Sequence, residues 1–201
     1  MKVTTLDRIL LLVTCLLSAY QVVVGINGLE NIPTIAYTMA FGVLLVAGLL
    51  ILILGYGVLD SPVVVVVSTM IPLGLSLGLV WEYNIAWRIP YLVFTLIGFL
   101  AIIITRSTRM PGRIPTVILA FVHGVAGLIV FLLPCILAAR GITNPGFALV
   151  GFGGALIGLG GLLLSFLKAG RPIVSREIIL RIFPWILLLM TTAFVAGFAF
   201  A

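Results

Sequence analysis

A chain of 201 residues that is 63% hydrophobic and 8% charged, with a mean hydropathy of +1.42, lies far outside the usage of soluble globular proteins. Runs long enough to cross a bilayer core about 30 Å thick take up most of the chain, which excludes a soluble domain beside them. The net charge of +6 sits at the ends of those runs, so it reads as an insertion signal and excludes a nucleic-acid footprint.

The first run covers about 9–26. Met1 to Arg8 followed by apolar residues resembles the start of a secretory signal, but "SAYQVVVGIN" lacks an A-x-A cleavage pattern, so an uncleaved signal anchor is expected. The second run, about 33–57, opens at Pro33; the third, about 62–81, opens at Pro62 behind the capping pair Asp60-Ser61. Pro72 lies inside the third run, as Pro134 and Pro184 lie inside the fifth and seventh. Each should bend its helix and leave a carbonyl free.

"WEYNIAWRIPY", 81–91, then precedes a short fourth run of about 90–105. Trp81, Tyr83, Trp87 and Tyr91 suit an interfacial aromatic belt, with ring bodies in the headgroup region. The fifth run, about 115–139, follows "RSTRMPGR" and holds His123, the only histidine and the only ionisable side chain well inside a run. Its expected role is an interhelical hydrogen bond, with proton relay or substrate binding as the alternative. Gln21, Ser68, Thr69 and Thr191 are the other candidates for an intramembrane polar site with His123.

The sixth run, about 145–167, contains "GFGGALIGLGG", six glycines in eleven positions. A dinucleotide loop would need a third glycine where Leu156 stands, and a Walker loop would end in Gly-Lys-Ser/Thr. Mid-membrane, an open phosphate loop would also strand its backbone groups. On a helix, Gly151, Gly154, Gly158, Gly161 and Ser165 share one face, and Gly153 and Gly160 share another with Gly146. Two small-residue stripes predict close packing of this helix on two sides. "KAGRPIVSREIILR", 168–181, leads into the seventh run, about 178–200.

Nine of the eleven Lys and Arg residues fall on one side if the N-terminus is cytoplasmic, with Arg88 and Arg140 alone outside. This predicts an N-in, C-out protein, expected in the cytoplasmic (inner) membrane of a prokaryote. Arg106, Arg109, Arg113, Lys168, Arg171 and Arg176 could meet anionic lipid headgroups or an acidic partner.

A shift of 112 residues aligns Pro33 with Pro145, Ala36 with Ala148, Gly42 with Gly154, Gly48 with Gly160 and Pro72 with Pro184. Two parallel repeats, about 1–82 and 113–201, would then flank a connector helix of about 88–106. This layout is similar to the three-one-three plan of the SWEET sugar transporters. The Pro-Gln pair of that wider family is missing here, and no motif residue carries over.

The expected fold is therefore an all-α integral membrane protein: one transmembrane domain, 1–201, formed by a seven-helix bundle with a 3+1+3 repeat. One histidine cannot ligate haem twice, and no cysteine cluster suits iron–sulfur or zinc. HExxH is absent, GxSxG occurs only as GLSLG (74–78) inside the third apolar run, where no strand-to-helix elbow is expected, and the seventh run has no lysine for a retinal Schiff base. Cys15 and Cys135 are expected to be unpaired apolar residues. No cofactor, metal or catalytic residue is expected. The reading that follows is a non-catalytic accessory subunit of a larger membrane complex, with other membrane subunits and lipid as partners. A facilitator of a small neutral solute is the first alternative, and an intramembrane sensor or enzyme the second.

Overall fold

The computed structural model describes residues 3–26, 28–108, 112–168 and 174–201; within 165–168 only the backbone is described. Among them, seven helical segments are long and apolar enough to cross a membrane. They are built from α1 (Thr5–Val24), α2 (Asn31–Leu54), α3 (Pro62–Ser68), α4 (Met70–Tyr83), α5 (Arg88–Ser107), α6 (Ile114–Ala139), α7 (Ala148–Lys168) and α8 (Arg176–Phe198).

Local signals set the boundaries. Thr4 and Asp7 close a capping box at the start of α1, each side chain accepting from the other's backbone N–H. Asn144 accepts from the Gly146 amide ahead of α7, and Ser175 from the Ile178 amide at the start of α8. Ser61, by contrast, makes no capping bond, and Asp60 pairs with Arg176 at 3.4 Å. Gly25 and Gly55 end α1 and α2 with positive φ, where a side chain would be strained.

The third span is made of two α-helices. It breaks at Thr69, three residues before Pro72, because the ring removes the N–H that would have bonded to the Ser68 carbonyl. Thr69 bridges the break with backbone and side-chain bonds to Val66 and Val65. Pro134 and Pro184 lie inside continuous helices. The fourth span is full length, Ile85–Ser107, because a 3-10 turn over Ile85–Trp87 runs directly into α5.

Six spans form a closed ring. Going round it, α1 packs on α2, α2 on α4, α4 on α6, α6 on α7, α7 on α8 and α8 on α1, while α5 lies outside against α3, α4 and α6. The ring interior is filled with side chains: Phe41 of α2 stacks edge-on to Phe194 and Phe198 of α8, with centroids 6.4 and 6.1 Å apart. Phe147, at the start of α7, reaches the same cluster, 6.2 Å from Phe198. Close backbone approaches tie the ring together. A Cβ built on Gly74 of α4 would stand 2.6 Å from the Ala36 carbonyl oxygen of α2, and one on Gly197 of α8 would stand 2.6 Å from the Val150 amide of α7.

The two ends differ in character. Arg8, Arg106, Arg113, Arg176 and Arg181 lie at the end that carries the N-terminus. Trp81, Trp87, Arg88 and Arg140 lie at the other.

Candidate functional site: the seam between α6 and α7

Helices α6 and α7 run antiparallel, joined by the Arg140–Asn144 turn and a 3-10 turn over Pro145–Phe147. Near that turn the seam is shut. A Cβ on Gly154 would lie 2.7 to 2.8 Å from backbone atoms of Val130 and Phe131, and one on Gly151 would lie 2.6 Å from the Phe131 carbonyl oxygen and also strike the Cys135 sulfur. Further from the turn the seam opens. Nothing stands within 4 Å of a Cβ on Gly158 of α7, or on Gly124 and Gly127 of α6. On Gly161 the nearest atom is His123 Cδ2, at 3.9 Å.

The register explains which residues face each other. With Gly154 level with Val130 and Phe131, antiparallel helices of equal rise place Gly158 level with Ala126 and Gly127, and Gly161 level with His123 and Gly124. The result is a wedge with glycine on both walls. Phe121, Leu128, Leu159 and Leu162 lie exposed along its rims.

His123 is half-buried in this wedge, and its Nδ1 is sealed with no hydrogen-bond partner. A neutral imidazole carries one N–H and one lone pair. Orphaned buried donors are rarer than under-used acceptors, so we assign the lone pair to Nδ1 and the proton to Nε2. Nε2 then carries the N–H. Neither α6 nor α7 contains an aspartate or glutamate, so the ring has no carboxylate on either helix to exchange a proton with.

The other intramembrane polar candidates do not gather around His123. Ser68 and Thr69 both donate to the Val65 carbonyl and Thr191 to that of Leu187, while the Gln21 amide donates to Gly25 at 2.8 Å. At 1.5 Å of rise per residue, Thr69 and His123 lie about 10 and 14 Å along their spans, and Thr191 and Gln21 about 22 and 24 Å. Gln21 instead borders a recess between α1 and α2 with Tyr37, Thr38 and Phe41. Its 10 Å³ of free volume matches about one water.

The two glycine stripes of α7 are used differently. Gly153 and Gly160 both face α8, where built Cβ atoms would meet Phe194 at 2.6 Å and Ile186 at 3.4 Å. On the other stripe a Cβ on Gly151 or Gly154 would collide with α6, one on Gly161 would lie 3.9 Å from His123 Cδ2, and nothing stands within 4 Å of one on Gly158. The Ser165 and Lys168 side chains, and Arg109 and Arg171, lie outside the described residues.

Two members of the expected aromatic belt point inward. Trp81 is buried and donates from Nε1 to Glu30 at 2.8 Å, and Arg88 pairs with the same carboxylate at 3.0 Å. The Arg88 guanidinium also donates to the Trp81 carbonyl and lies 5.4 Å from its ring. The Trp81 hydrogen bond holds the Glu30 carboxyl below its ordinary range against the opposing effect of desolvation, with the charge and hydrogen bond of Arg88 adding to the lowering. Tyr91 is buried as well, its hydroxyl donating to Ser76 at 2.8 Å. Tyr83 is half-buried against Phe147, and Trp87 is 59% exposed.

At the opposite end Arg113 and Arg176 are exposed, while Arg106 is half-buried with its Nε sealed and unpartnered. Tyr56, between α2 and α3, is buried beside Asp7 without a well-formed hydrogen bond. Burial first, and the neighbouring carboxylate second, raise its phenol well above the ordinary range. Cys15 and Cys135 are both free.

No known protein family, curated protein sequence or solved structure matches this chain.

Proposed function

We propose that this protein is a non-catalytic multipass subunit of a larger membrane complex, seated in a prokaryotic cytoplasmic membrane with its N-terminus inside and C-terminus outside. The fate of the buried hydroxyls carries the reading. Thr14, Ser18, Thr69, Ser76, Thr105 and Thr191 each donate to a carbonyl four residues back in their own span. Polar groups spent in this way leave a ring interior of aromatic and aliphatic side chains, which offers a passing solute little to bind. The orientation is supported by the five described arginines at the N-terminal end. At that end Arg106 and Arg113, with Arg176 beside Asp60, would meet anionic headgroups or an acidic partner loop.

We also infer the internal repeat. When the two repeats are exchanged, the neighbours α1–α2, α2–α4 and α4–α6 become α6–α7, α7–α8 and α8–α1, and each of these pairs packs in the ring. The connector, α5, stays outside. This two-fold order favours a second reading, a facilitator of a small neutral solute built on a three-one-three plan.

Extraction from the native membrane in mild detergent, followed by the mass of the particle, tests the choice. A large particle with defined membrane partners is expected. A monomer or small homo-oligomer would overturn the subunit reading, and solute uptake into liposomes would then test the second.

A further inference from the structure

We propose that residues 55–68, the 3-10 turn after α2 together with α3, form a hinged lid over the ring at the end that carries the N-terminus. The ion pair of Asp60 with Arg176 latches it to α8. The lid governs access to the ring interior from that end. It holds for either reading above, which the particle mass tests separately.

Three observations carry the lid. The first is the path of the turn. In the ring α1 stands between α2 and α8, yet Asp60, in the turn that follows α2, reaches Arg176 at the start of α8 at 3.4 Å. Tyr56 in the same turn is 3% exposed and shares one buried cluster with Leu11 of α1 and Leu180 of α8, and Val58 and Leu59 pack against that cluster. The turn therefore runs across the end of the ring, and its apolar side chains close it. Burial of their surface keeps the lid shut at rest.

The second is that the two halves of the third span are held differently. None of the seven residues of α3 is buried, against ten of the fourteen in α4. Helix α4 is a member of the ring, packed on α2 and α6, whereas α3 lies on α2, the turn and the peripheral α5. A half-span that buries so little can detach at lower cost than its neighbour.

The third is that both ends of the segment are built to pivot. At one end Gly55 has a φ of +80°, and a Cβ there would meet only Val3 Cγ2, at 3.8 Å. At the other end Pro72 leaves the Ser68 carbonyl without its helical donor, while Thr69 bonds back to Val66 and Val65. A few such residues can absorb the rotation of one rigid piece against another, so α3 swings with its own helical bonds intact. The latch is the adjustable part. Its side chains are 64% and 56% exposed, so the pair is weak and open to screening by salt.

The rate at which a thiol beneath the lid reacts reports how often the lid opens. In a background with Cys15 and Cys135 replaced by alanine, Val58→Cys places a thiol at a half-buried position and Gly57→Cys at an exposed one. The full-length protein in phosphatidylcholine nanodiscs is treated with a membrane-impermeant maleimide, and Val58→Cys is expected to react far more slowly than Gly57→Cys. Adding Asp60→Asn should speed Val58→Cys by up to about fivefold, the upper worth of an exposed ion pair, and leave Gly57→Cys unchanged. Exchanging the charges, Asp60→Arg with Arg176→Asp, should return the slow rate. Raising the salt from about 0.01 M to about 1 M cuts the reach of a charge from about 30 Å to about 3 Å. It should speed Val58→Cys alone and not Val58→Cys with Asp60→Asn. Pro72→Ala, which returns an N–H to the break, should slow Val58→Cys by about two- to tenfold, the worth of one hydrogen bond. Equal rates at the two positions, no effect of Asp60→Asn, or a charge exchange that fails to restore the slow rate would each overturn the proposal. An unchanged rate in folded Pro72→Ala would put the movement in the turn alone and overturn the hinge at Thr69.

Discussion

Along the α6–α7 seam, the half next to the connecting turn and the half away from it present the same residue type and meet different surroundings. At Gly151 and Gly154 the missing side chain is replaced by the backbone of the neighbouring helix; at Gly158 and Gly161 it is replaced by space and by one imidazole. A close approach of two backbones is what a glycine stripe is expected to achieve in a membrane, where packing rather than the hydrophobic effect holds helices together. An open glycine wall gains no such contact. It makes room instead, and a polar group sits where the room is. The comparison teaches that a small-residue face is a necessary condition for close packing and not a sufficient one.

Substitution by alanine along the stripe separates the two halves, and the largest effect belongs to Gly154. A methyl there would collide with backbone atoms of Val130 and Phe131, which cannot swing aside as a side chain can. Gly154→Ala should therefore cost about 2–3 kcal/mol, at the upper end of ordinary overpacking, seen as a lower unfolding midpoint in detergent. Gly153→Ala should cost less, about 1 kcal/mol, because its nearest neighbour is the Phe194 ring, a side chain able to move, and the Met190 carbonyl is further off at 3.1 Å.

The tie among Glu30, Trp81 and Arg88 gives a smaller, pH-dependent effect at the aromatic end. Because the folded-state carboxyl of Glu30 lies below its ordinary value of 4.5, its contribution is complete above that value and is lost as pH falls through the lowered one. In a background with Trp87 and Trp185 replaced by Phe, Trp81 emission should stay constant down to the ordinary carboxylate range and change only in stronger acid. Glu30→Gln should abolish that transition. The smallest effect is expected at Gly158→Ala, within about 0.5 kcal/mol of the parent, since a methyl there touches nothing.

Much of the architecture was legible in the chain. Length and hydropathy located the seven spans, because these depend on local composition. The Thr4-x-x-Asp7 box is just as local, but the sequence reading passed over it. What was not legible depends on residues distant in sequence. Trp81 and Tyr91 carry the amphipathic rings of an interfacial belt, and nothing in "WEYNIAWRIPY" announces that Glu30 and Ser76 will draw them inward. The fourth span seemed short because Arg88 and Pro90 interrupt its apolar run, although both fit comfortably in a first helical turn. Helical periodicity placed Gly151, Gly154, Gly158 and Gly161 on one face, correctly, but a period carries no information about the angle at which the next helix leaves. The polar candidates His123, Gln21, Ser68, Thr69 and Thr191 were chosen for residue type; Thr191 and Gln21 lie about 8 to 10 Å deeper than His123 on their own helices, and Ser68, Thr69 and Thr191 spend their hydroxyls on carbonyls of their own spans.

The most direct test of the seam is a pair of leucine variants, Gly154→Leu and Gly158→Leu, unfolded side by side in the same detergent. An open wedge beside a shut contact predicts that Gly154→Leu fails to accumulate as folded protein or unfolds well below the parent, while Gly158→Leu stays close to it. Equal losses in the two variants would mean that the helices pack along their whole length, and would contradict the division of the seam.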